Sequence, residues 1–354
     1  MKADSLVAGD AARQQLLDNL SAALCGGALP GELEDFGDED CRGAAEFVAA
    51  CAERRPPGIA LVRLEPTGTK LGQRRMRICI VNDDMPFLVD SIAGAIAARG
   101  LIIHRLLHPV VCATRDDQGC LTAIEPLCED RSRRESIMYI EVDRADARRR
   151  GELVSELHRV LAHVRAAVGD WRAMQGRMRA GAGSIDDSEG RDLLHWFADG
   201  AMTLVGFEVE RPGPPSSGRP GFFRLPGDPT DEGGPEGAMR YFEGGGAVPL
   251  LAKADLKSTV HRRVPLDLVV VPVREEGKVT GVGVHVGLWT SEALRAPVED
   301  VPVLRRRLKE LDDYFGFEPS GHSGKALRHA VASLPPDLLI NLSGEEVRDL
   351  VITA

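Results

Sequence analysis

The sequence lacks the features that carry a chain into or through a membrane. No apolar run reaches the ~18 residues that a membrane-spanning helix needs. The N-terminal stretch MKADSLVAGDAARQQLLDNL has no apolar core of the signal-peptide kind and carries acidic side chains early, at Asp4 and Asp10. The sequence therefore predicts a cytoplasmic protein with no membrane partner.

An excess of positive charge is also absent. Lysine and arginine total 44 against 54 aspartates and glutamates, so the formal net charge at pH 7 is -10. Binding to a nucleic-acid backbone or to an anionic lipid surface requires clustered lysines and arginines. The composition therefore predicts no nucleic-acid partner and no docking onto an anionic membrane.

Cysteine is infrequent and is not arranged in metal-binding pairs. The chain has 7 cysteines, an odd number, and none of them forms a CxxC pair. Cys79 and Cys112 lie inside apolar, strand-like runs. This pattern is typical of reduced, buried thiols in the cytosol, so the sequence predicts neither a disulfide framework nor a metal site.

Catalytic and nucleotide-binding motifs are absent as well. GVGVHVG (281–287) lies within a strand pattern, and no helix opens after it, so it indicates a close backbone approach or a bulge. PSGHSGKAL (319–327) lacks glycines that a phosphate loop or a nucleophile elbow would need, and it predicts a serine-capped helix start. We therefore predict no catalytic residue and no bound cofactor in this chain.

The first half of the chain alternates between helical and strand-like patterns. Residues 12–53 have helical periodicity, and the runs GIALVRLEP and RMRICIVN then indicate an antiparallel strand pair. A helix from Pro86, a long strand over 101–114, a short strand CLTAIEP, a strand ESIMYIEVDR and a helix over 153–168 follow. Met138, Ile140 and Val142 are expected on one side of their strand. This order predicts the split βαβ unit of a ferredoxin-like sandwich, with one strand supplied ahead of it.

The second half begins after a glycine-rich joint at 181–184. The patterns predict a helix RDLLHWFADG, a strand MTLVGFEVE, an insert rich in Pro, Gly and Ser, and a hairpin turned at Glu276–Gly277. The tail from Val301 has helical spacing, and its last helix opens with a capping box from Ser343 to Glu346. We interpret this half as a second α+β domain followed by helices, and the short final helix as part of a longer polypeptide.

The stretch VNDDMPFLVDS (81–91) is the strongest candidate for a site. Three polar residues follow an apolar strand, and Pro86 suits the first position of a helix. The acids are explained either by helix initiation, since carboxylates are favoured beside a helix N-terminus, or by a pocket for a small zwitterion. In the pocket, backbone N–H groups of residues 87–89 would bind the carboxylate, and Asn82 or an aspartate would bind the ammonium. A catalytic acid pair would need a nearby nucleophile or positioned water, and the stretch offers neither.

A second candidate is the basic stretch KADLKSTVHRR (253–263). Its candidate residues Lys257, His261 and Arg262 would bind an anion or a partner surface. The alternative is a solvated edge segment that positive side chains protect from misassociation. His104 and His108, four apart in the predicted strand, would lie about 13 Å apart, which is too far for one metal ion.

Several of these stretches together resemble a known family. VNDDMPFLVDS, ESIMYIEVDR, LLHWFADGAMTLVGF, KSTVHRRVPLD and GLWTSEAL occur in this order. The series resembles the N-terminal part of the large, bacterial-type NAD-specific glutamate dehydrogenases, from about residue 30 to the C-terminal end. The resemblance implies an N-terminal helical region at 1–56, an ACT-like domain at 57–170, a PAS-like domain at 185–295, and a helical connector at 300–354 toward a second ACT-like domain absent here.

The resemblance also implies where a ligand would bind. ACT domains commonly bind amino acids at the loop between the first strand and the first helix, which maps onto Asn82, Asp83, Asp84, Phe87 and Leu88. Phe87 stands where amino-acid-binding ACT domains commonly have glycine. The catalytic lysines, the NAD-binding unit and the glutamate pocket of the family lie downstream, and nothing in this chain matches them.

These inferences combine into one prediction. The fold class is α+β, an ACT-like ferredoxin sandwich followed by a PAS-like domain and a helical connector. The function is that of a non-catalytic regulatory and oligomerisation segment of an NAD-dependent glutamate dehydrogenase, whose parent reaction is the oxidative deamination of L-glutamate to 2-oxoglutarate. NAD belongs to the parent enzyme, and the expected partners are further copies of the chain and an amino acid or other small effector. The alternative is a purely structural assembly module that binds no small ligand.

Overall fold

The computed structural model describes residues 2–28, 31–68, 74–126, 129–213, 219–225 and 235–353. They form two compact units: Met1–Val164 with Thr259–Arg262, and Arg165–Ser258 with Arg263–Ala354. The predicted turn between the first two strands falls largely on residues 69–73, and the middle of the predicted insert on 226–234. Both lie outside the described residues.

The predicted helices and strands occur in the predicted order, and the structure adds a helix over 236–243 and a strand over 250–257 that the sequence patterns did not indicate. The helices are α1 Lys2–Gly26, α2 Asp38–Ala52, α3 Leu88–Ala97, α4 Ala147–Ala182, α5 Ser188–Trp196, α6 Glu236–Glu243, α7 Leu304–Phe315, α8 His322–Ala332, α9 Pro336–Leu339 and α10 Gly344–Thr353. The strands are β1 Leu61–Gly68, β2 Arg74–Asp83, β3 Ile103–Leu107, β4 Val110–Arg115, β5 Leu121–Glu125, β6 Arg134–Asp143, β7 Met202–Glu210, β8 Leu250–Lys257, β9 Pro265–Glu275 and β10 Lys278–Trp289. Among the described residues, no helix combines the length and the apolar character that crossing a membrane requires.

The sheet of the first unit has the order β1-β2-β6-β4-β5, and β3 also pairs with β6. Because β6 is antiparallel to both β2 and β3, the strands β2 and β3 run parallel on either side of it. This is the split βαβ arrangement, with α3 as the crossover helix. The strand supplied ahead of the unit is β1, which pairs with β2 as predicted.

Both faces of this sheet are covered. Ile137 and Tyr139 of β6 share an apolar cluster with Leu20 of α1 and Phe47 of α2. Successive strand side chains point to opposite faces, so Met138 and its alternating neighbours lie on the other face, where they are also buried. The sequence predicted the alternation, and the structure adds that α1 and α2 close the second face.

The prediction of one long strand over 101–114 is wrong in one respect, because the structure has two strands there, β3 and β4. The division falls at His108 and Pro109. Proline has no N–H for the sheet ladder, so a strand commonly breaks or bulges at it. Pairing to β6 resumes beyond the break, where Ile137 N donates to the Pro109 carbonyl at 3.0 Å.

The prediction of fully reduced cysteines is also wrong. A disulfide bond joins Cys25 at the end of α1 to Cys41 in α2, with the two Cα atoms 6.3 Å apart. Cys112 is disulfide-bonded as well, whereas Cys79 is a free and fully buried thiol. The spacing of Cys25 and Cys41 in sequence gives no sign of pairing, because the packing of α1 against α2 brings them together.

The second unit contains an antiparallel sheet in the order β7-β10-β9-β8. Its hairpin turns at Glu276 and Gly277, as predicted, and both have positive φ angles of 50° and 80°. The glycines of GVGVHVG also behave as predicted: a Cβ on Gly281 would lie 2.5 Å from the Glu210 carbonyl oxygen, and one on Gly287 would lie 2.5 Å from that of Thr203. The strand register shifts beside both glycines.

An aromatic cluster and the C-terminal helices complete this unit. The ring centroids of Phe197 and Trp289 lie 5.2 Å apart in an edge-to-face arrangement. The predicted capping box is confirmed, since Ser343 N donates to Glu346 Oε2 at 2.7 Å and Glu346 N donates to Ser343 Oγ at 3.2 Å. The start of α8 differs from the prediction, because its N-cap is Gly321 and not a serine.

Candidate functional site

The stretch 81–91 joins the end of β2 to the start of α3. Asp83 is the last residue of β2, and α3 begins at Leu88 with Phe87 as its N-cap. The prediction that Pro86 takes the first helical position is therefore wrong by two residues. Phe87 has the left-handed φ of 70°, which sets the helix start after it, so the acid in the first helical turn is Asp90.

Asp83 is engaged in a buried ion-pair network. Arg55, only 4% exposed, donates through Nη2 to Asp83 Oδ1 and through Nη1 to Glu135 Oε1 at 2.8 Å. Glu135 is 5% exposed and also accepts from Arg115, whose Nε and Nη2 donate at 2.7 and 2.8 Å. Removing buried charges from water is costly unless they are paired. Asp83 therefore has a structural role, and a ligand ammonium would have to compete with Arg55 for it.

The other polar residues of the loop differ in accessibility. Asn82 is fully buried, and its Nδ2 donates to the Asp83 carbonyl at 3.1 Å. Leu88 is buried in the core. Asp84 is exposed and is fixed through its backbone, since its N–H donates to the Arg134 carbonyl at 3.1 Å. Of the candidate carboxylates, Asp84 is the one that solvent reaches most readily.

The start of α3 contacts a segment that is distant in sequence. His261 N donates to Ser91 Oγ at 2.8 Å, and a hydrogen bond of 2.9 Å joins His261 Nδ1 to Asp90 Oδ2. Ser91 Oγ in turn donates to the Phe87 carbonyl at 2.6 Å. The rings of Phe87 and His261 lie 5.2 Å apart. The structure thus brings together two candidate residues, Phe87 and His261, that the sequence assigned to separate sites.

A further histidine holds the same segment. A 2.7 Å hydrogen bond joins His163 Nδ1 to Thr259 Oγ1, and His163 is only 5% exposed. Burial lowers the pKa of His163 to about 4, with the Arg159 charge adding to the effect. Thr259–Arg262 is therefore fixed within the first unit at Thr259 and at His261. Sequence reasoning missed Asp90, Ser91 and His163, because nothing local to them indicates a partner 96 to 171 residues away.

The remaining basic candidates are Lys257 and Arg262. Lys257 is the exposed last residue of β8, which is an edge strand of the second unit. The pairing of β8 with β9 is irregular between Lys253 and Lys257, and such irregular, lysine-bearing edges resist pairing with other chains. Arg262 is half-buried in the first unit. These positions fit the edge-segment interpretation for Lys257.

His104 and His108 each form a hydrogen bond with a side chain of β6. A 2.7 Å hydrogen bond joins His104 Nε2 to Asp143 Oδ1, and another of 2.7 Å joins His108 Nε2 to Ser136 Oγ. The bond from His104 lowers the pKa of Asp143 below its ordinary value. In the part of the chain that the structure describes, no group of three or more His, Cys, Asp or Glu residues is placed to hold a metal ion.

The fold and the family comparisons define the class of protein. A family model described as "Glutamate dehydrogenase, ACT1 domain" matches residues 20–157, which include α2, the whole first sheet and α3. A second, described as "Glutamate dehydrogenase, helical motif 1", matches residues 301–354, where α7 to α10 lie. The chain is thus an ACT-domain protein with a C-terminal helical motif.

The chain is also similar to curated enzymes from three bacteria. The chain is 28% identical to the NAD-specific glutamate dehydrogenase of Halomonas elongata over 89% of its own length and 22% of that protein. It is 28% identical to the enzyme of the same name from Pseudomonas aeruginosa and 26% identical to that from Mycobacterium tuberculosis, each over 76% of the chain. The two family models and these similarities support the interpretation of the chain as an N-terminal segment of an NAD-specific glutamate dehydrogenase, as the motifs predicted. It spans about a fifth of the length of these relatives.

Proposed function

We propose that this chain is a regulatory and subunit-assembly segment of a longer NAD-dependent glutamate dehydrogenase polypeptide. The observation that carries the proposal is the ACT1 match over residues 20–157, on a chain that spans about a fifth of its relatives. In this proposal, the oxidative deamination of L-glutamate and the binding of NAD take place on other residues of the parent protein, in the cytoplasm. This segment biases the parent between assemblies of different activity.

The proposal extends to the domains. Residues 57–170 are the ACT-like domain, 185–295 a PAS-like domain, and 300–354 a connector toward a second ACT-like domain. The four-stranded antiparallel sheet preceded by α5 supports the PAS-like assignment. Homo-oligomers of the parent would form through these domains.

The effector in this proposal is an amino acid that binds at the loop from Asn82 to Leu88. The first N–H groups of a helix have no acceptor within it, so those at the start of α3 suit a carboxylate. The exposed carboxylate of Asp84 suits an ammonium. Such a ligand shifts the parent enzyme only if it binds one assembly more tightly than the other. The Phe87 ring, in contact with His261, stands where the ligand would approach.

Replacing Phe87 by glycine should increase amino-acid affinity. Its φ of 70° is a conformation that glycine adopts without strain, and glycine also removes the ring that obstructs the loop. We expect calorimetric titration with the twenty amino acids to give binding at least about tenfold tighter in Phe87→Gly than in the unmodified chain. Glu276→Gly is the matched control, since Glu276 also has a positive φ, of 50°, but lies in the β9–β10 hairpin. Equal affinities in all three proteins would contradict the proposed site.

One observation favours the purely structural alternative. Asp83 and His261, two of the candidate side chains, already have protein partners in Arg55 and Asp90. If the loop and its partners serve only assembly, titration with amino acids and nucleotides gives no heat, while light scattering shows oligomers. A strict monomer at high concentration would contradict the structural alternative.

The isolated chain is expected to show no dehydrogenase activity. Mixed with L-glutamate and NAD, it should form no NADH above the buffer control in a spectrophotometric assay, because neither a dinucleotide fingerprint nor an activated nucleophile was found in the sequence. Glutamate-dependent NADH formation by the purified chain would refute the proposal that catalysis takes place on other residues of the parent protein.

A further inference from the structure

A cavity of about 700 Å³ opens beside the break between β3 and β4. Its walls come from the end of α1, from Val89 of α3 and from Leu106, His108 and Pro109 at the break. This volume falls within the range of small-molecule sites, ~300–1,000 Å³. All the described lining residues belong to the first unit, and none of them lies in the segment Thr259–Arg262 that contacts the start of α3.

The cavity arises from two features of the sequence. Pro109 interrupts the strand, so His108 does not continue β3. The end of α1 and the residue after it contribute mainly small residues to this wall, among them Ala22, Gly26 and Gly27, together with Leu24. A Cβ on Gly26 would meet no heavy atom within 4 Å, so open space faces the helix here.

The polar groups at the cavity carry negative or neutral charge. Among the described lining residues there is no lysine or arginine, while Glu32 contributes a carboxylate. Desolvation by the surrounding protein lowers the pKa of His108, and the nearby Asp84 carboxylate opposes this only in part, so the surroundings favour the neutral ring. The electrostatic field therefore disfavours anions and favours a cation.

We propose that this cavity binds a small apolar amine, with the apolar body against Ala22, Val89 and Leu106 and the ammonium directed toward Glu32 and His108. The proposal does not depend on the amino-acid site at the start of α3. It excludes carboxylates and phosphates of the same size, because the described walls offer them no cationic partner.

The test uses two probes of similar shape and opposite charge. 2-Phenylethylamine and 3-phenylpropionate are titrated into the full chain at pH 7 and followed by saturation-transfer NMR. We expect the amine to bind at least about tenfold more tightly than the carboxylate. Gly26→Leu places a side chain in the open space and should weaken amine binding by about tenfold or more. Gly151→Leu is the control, because Gly151 is an exposed helical glycine of α4 that also has open space around it.

The outcomes are distinct. Loss of amine binding in Gly26→Leu, with binding retained in Gly151→Leu, supports the proposed cavity site. If Gly26→Leu does not fold, Ala22→Leu on the same wall is the second variant, and we expect it to lose amine binding as well. Circular dichroism checks the fold of each variant. Equal binding of the two probes, no binding of the amine, or an unchanged affinity in both cavity variants would overturn the proposal.

Discussion

Replacing Arg55 by methionine is expected to lower the free energy of unfolding of the first unit by about 3–5 kcal/mol. The arginine is 4% exposed and binds both Asp83 and Glu135. Methionine preserves most of the apolar contacts of the side chain but leaves Glu135, itself 5% exposed, with one arginine in place of two. The loss is large because a buried carboxylate that loses a cationic partner has no water to replace it.

The measurement is urea unfolding followed by circular dichroism, since all three tryptophans, Trp171, Trp196 and Trp289, lie in the second unit and would not report on the first. Arg148→Met is the matched control. Its ion pair with Glu152 lies on the surface of α4, with the arginine side chain 78% exposed, so we expect a change within about 0.5 kcal/mol. A loss below about 1 kcal/mol in Arg55→Met would show that the network contributes little.

The order of elements was predictable because the hydrophobic period of each segment decides its type. β6 is an example, since its alternation and apolar content specify a strand between other strands. The βαβ order limits the number of possible sheet topologies, and β1, which precedes the unit, pairs with β2. The capping box at Ser343 and the hairpin at Glu276 are local signals of the same kind.

The candidate site was predicted only in part, because its decisive contacts are not local. The sequence marked Asp83 and Asp84 as equivalent acids, yet packing gives one a buried arginine and leaves the other exposed. The contact between Phe87 and His261 spans 174 positions and depends on tertiary structure alone. The disulfide between Cys25 and Cys41 likewise follows from helix packing.

Phe87 shows how the resemblance and the geometry complement each other. The resemblance described in the sequence analysis implies that glycine is common at this position, and the structure offers a reason, since the left-handed φ of 70° is one that glycine adopts readily. This chain keeps the backbone conformation and adds a ring that contacts His261. The departure from the family pattern is therefore in the side chain, and so we expect a single substitution to reveal a ligand site.

Replacing His285 by leucine is expected to stabilise the second unit, most strongly in acid. His285 is 1% exposed on the central strand β10, and its Nδ1 has no hydrogen-bond partner within the described residues. Its ring lies 4.6 Å from that of Phe207. An unsatisfied buried polar group costs about 1–3 kcal/mol, so an apolar side chain of similar volume should raise the free energy of unfolding by about 1 kcal/mol at pH 7.

The dependence of the free energy of unfolding on pH is expected to show a larger effect of His285→Leu than the comparison at pH 7. Burial lowers the pKa of His285 to about 3 in the folded protein, from the ordinary 6.5 of an exposed histidine. As the pH falls below about 6.5, the unfolded chain binds the proton and the folded chain does not, so stability decreases until the pH reaches the folded value. Between pH 7 and pH 4.5 this removes about 2–3 kcal/mol, a loss that His285→Leu should not show.

Tryptophan fluorescence during urea unfolding at several pH values measures this effect in the second unit, where all three tryptophans lie. His163, whose pKa is lowered to about 4, makes the free energy of unfolding fall over a similar pH range, but it belongs to the first unit. His195→Leu is the control, because His195 is exposed on α5 and its removal should leave the pH profile of the second unit unchanged. Parallel pH profiles for the unmodified chain and His285→Leu would mean that the buried ring is not neutral in the folded state.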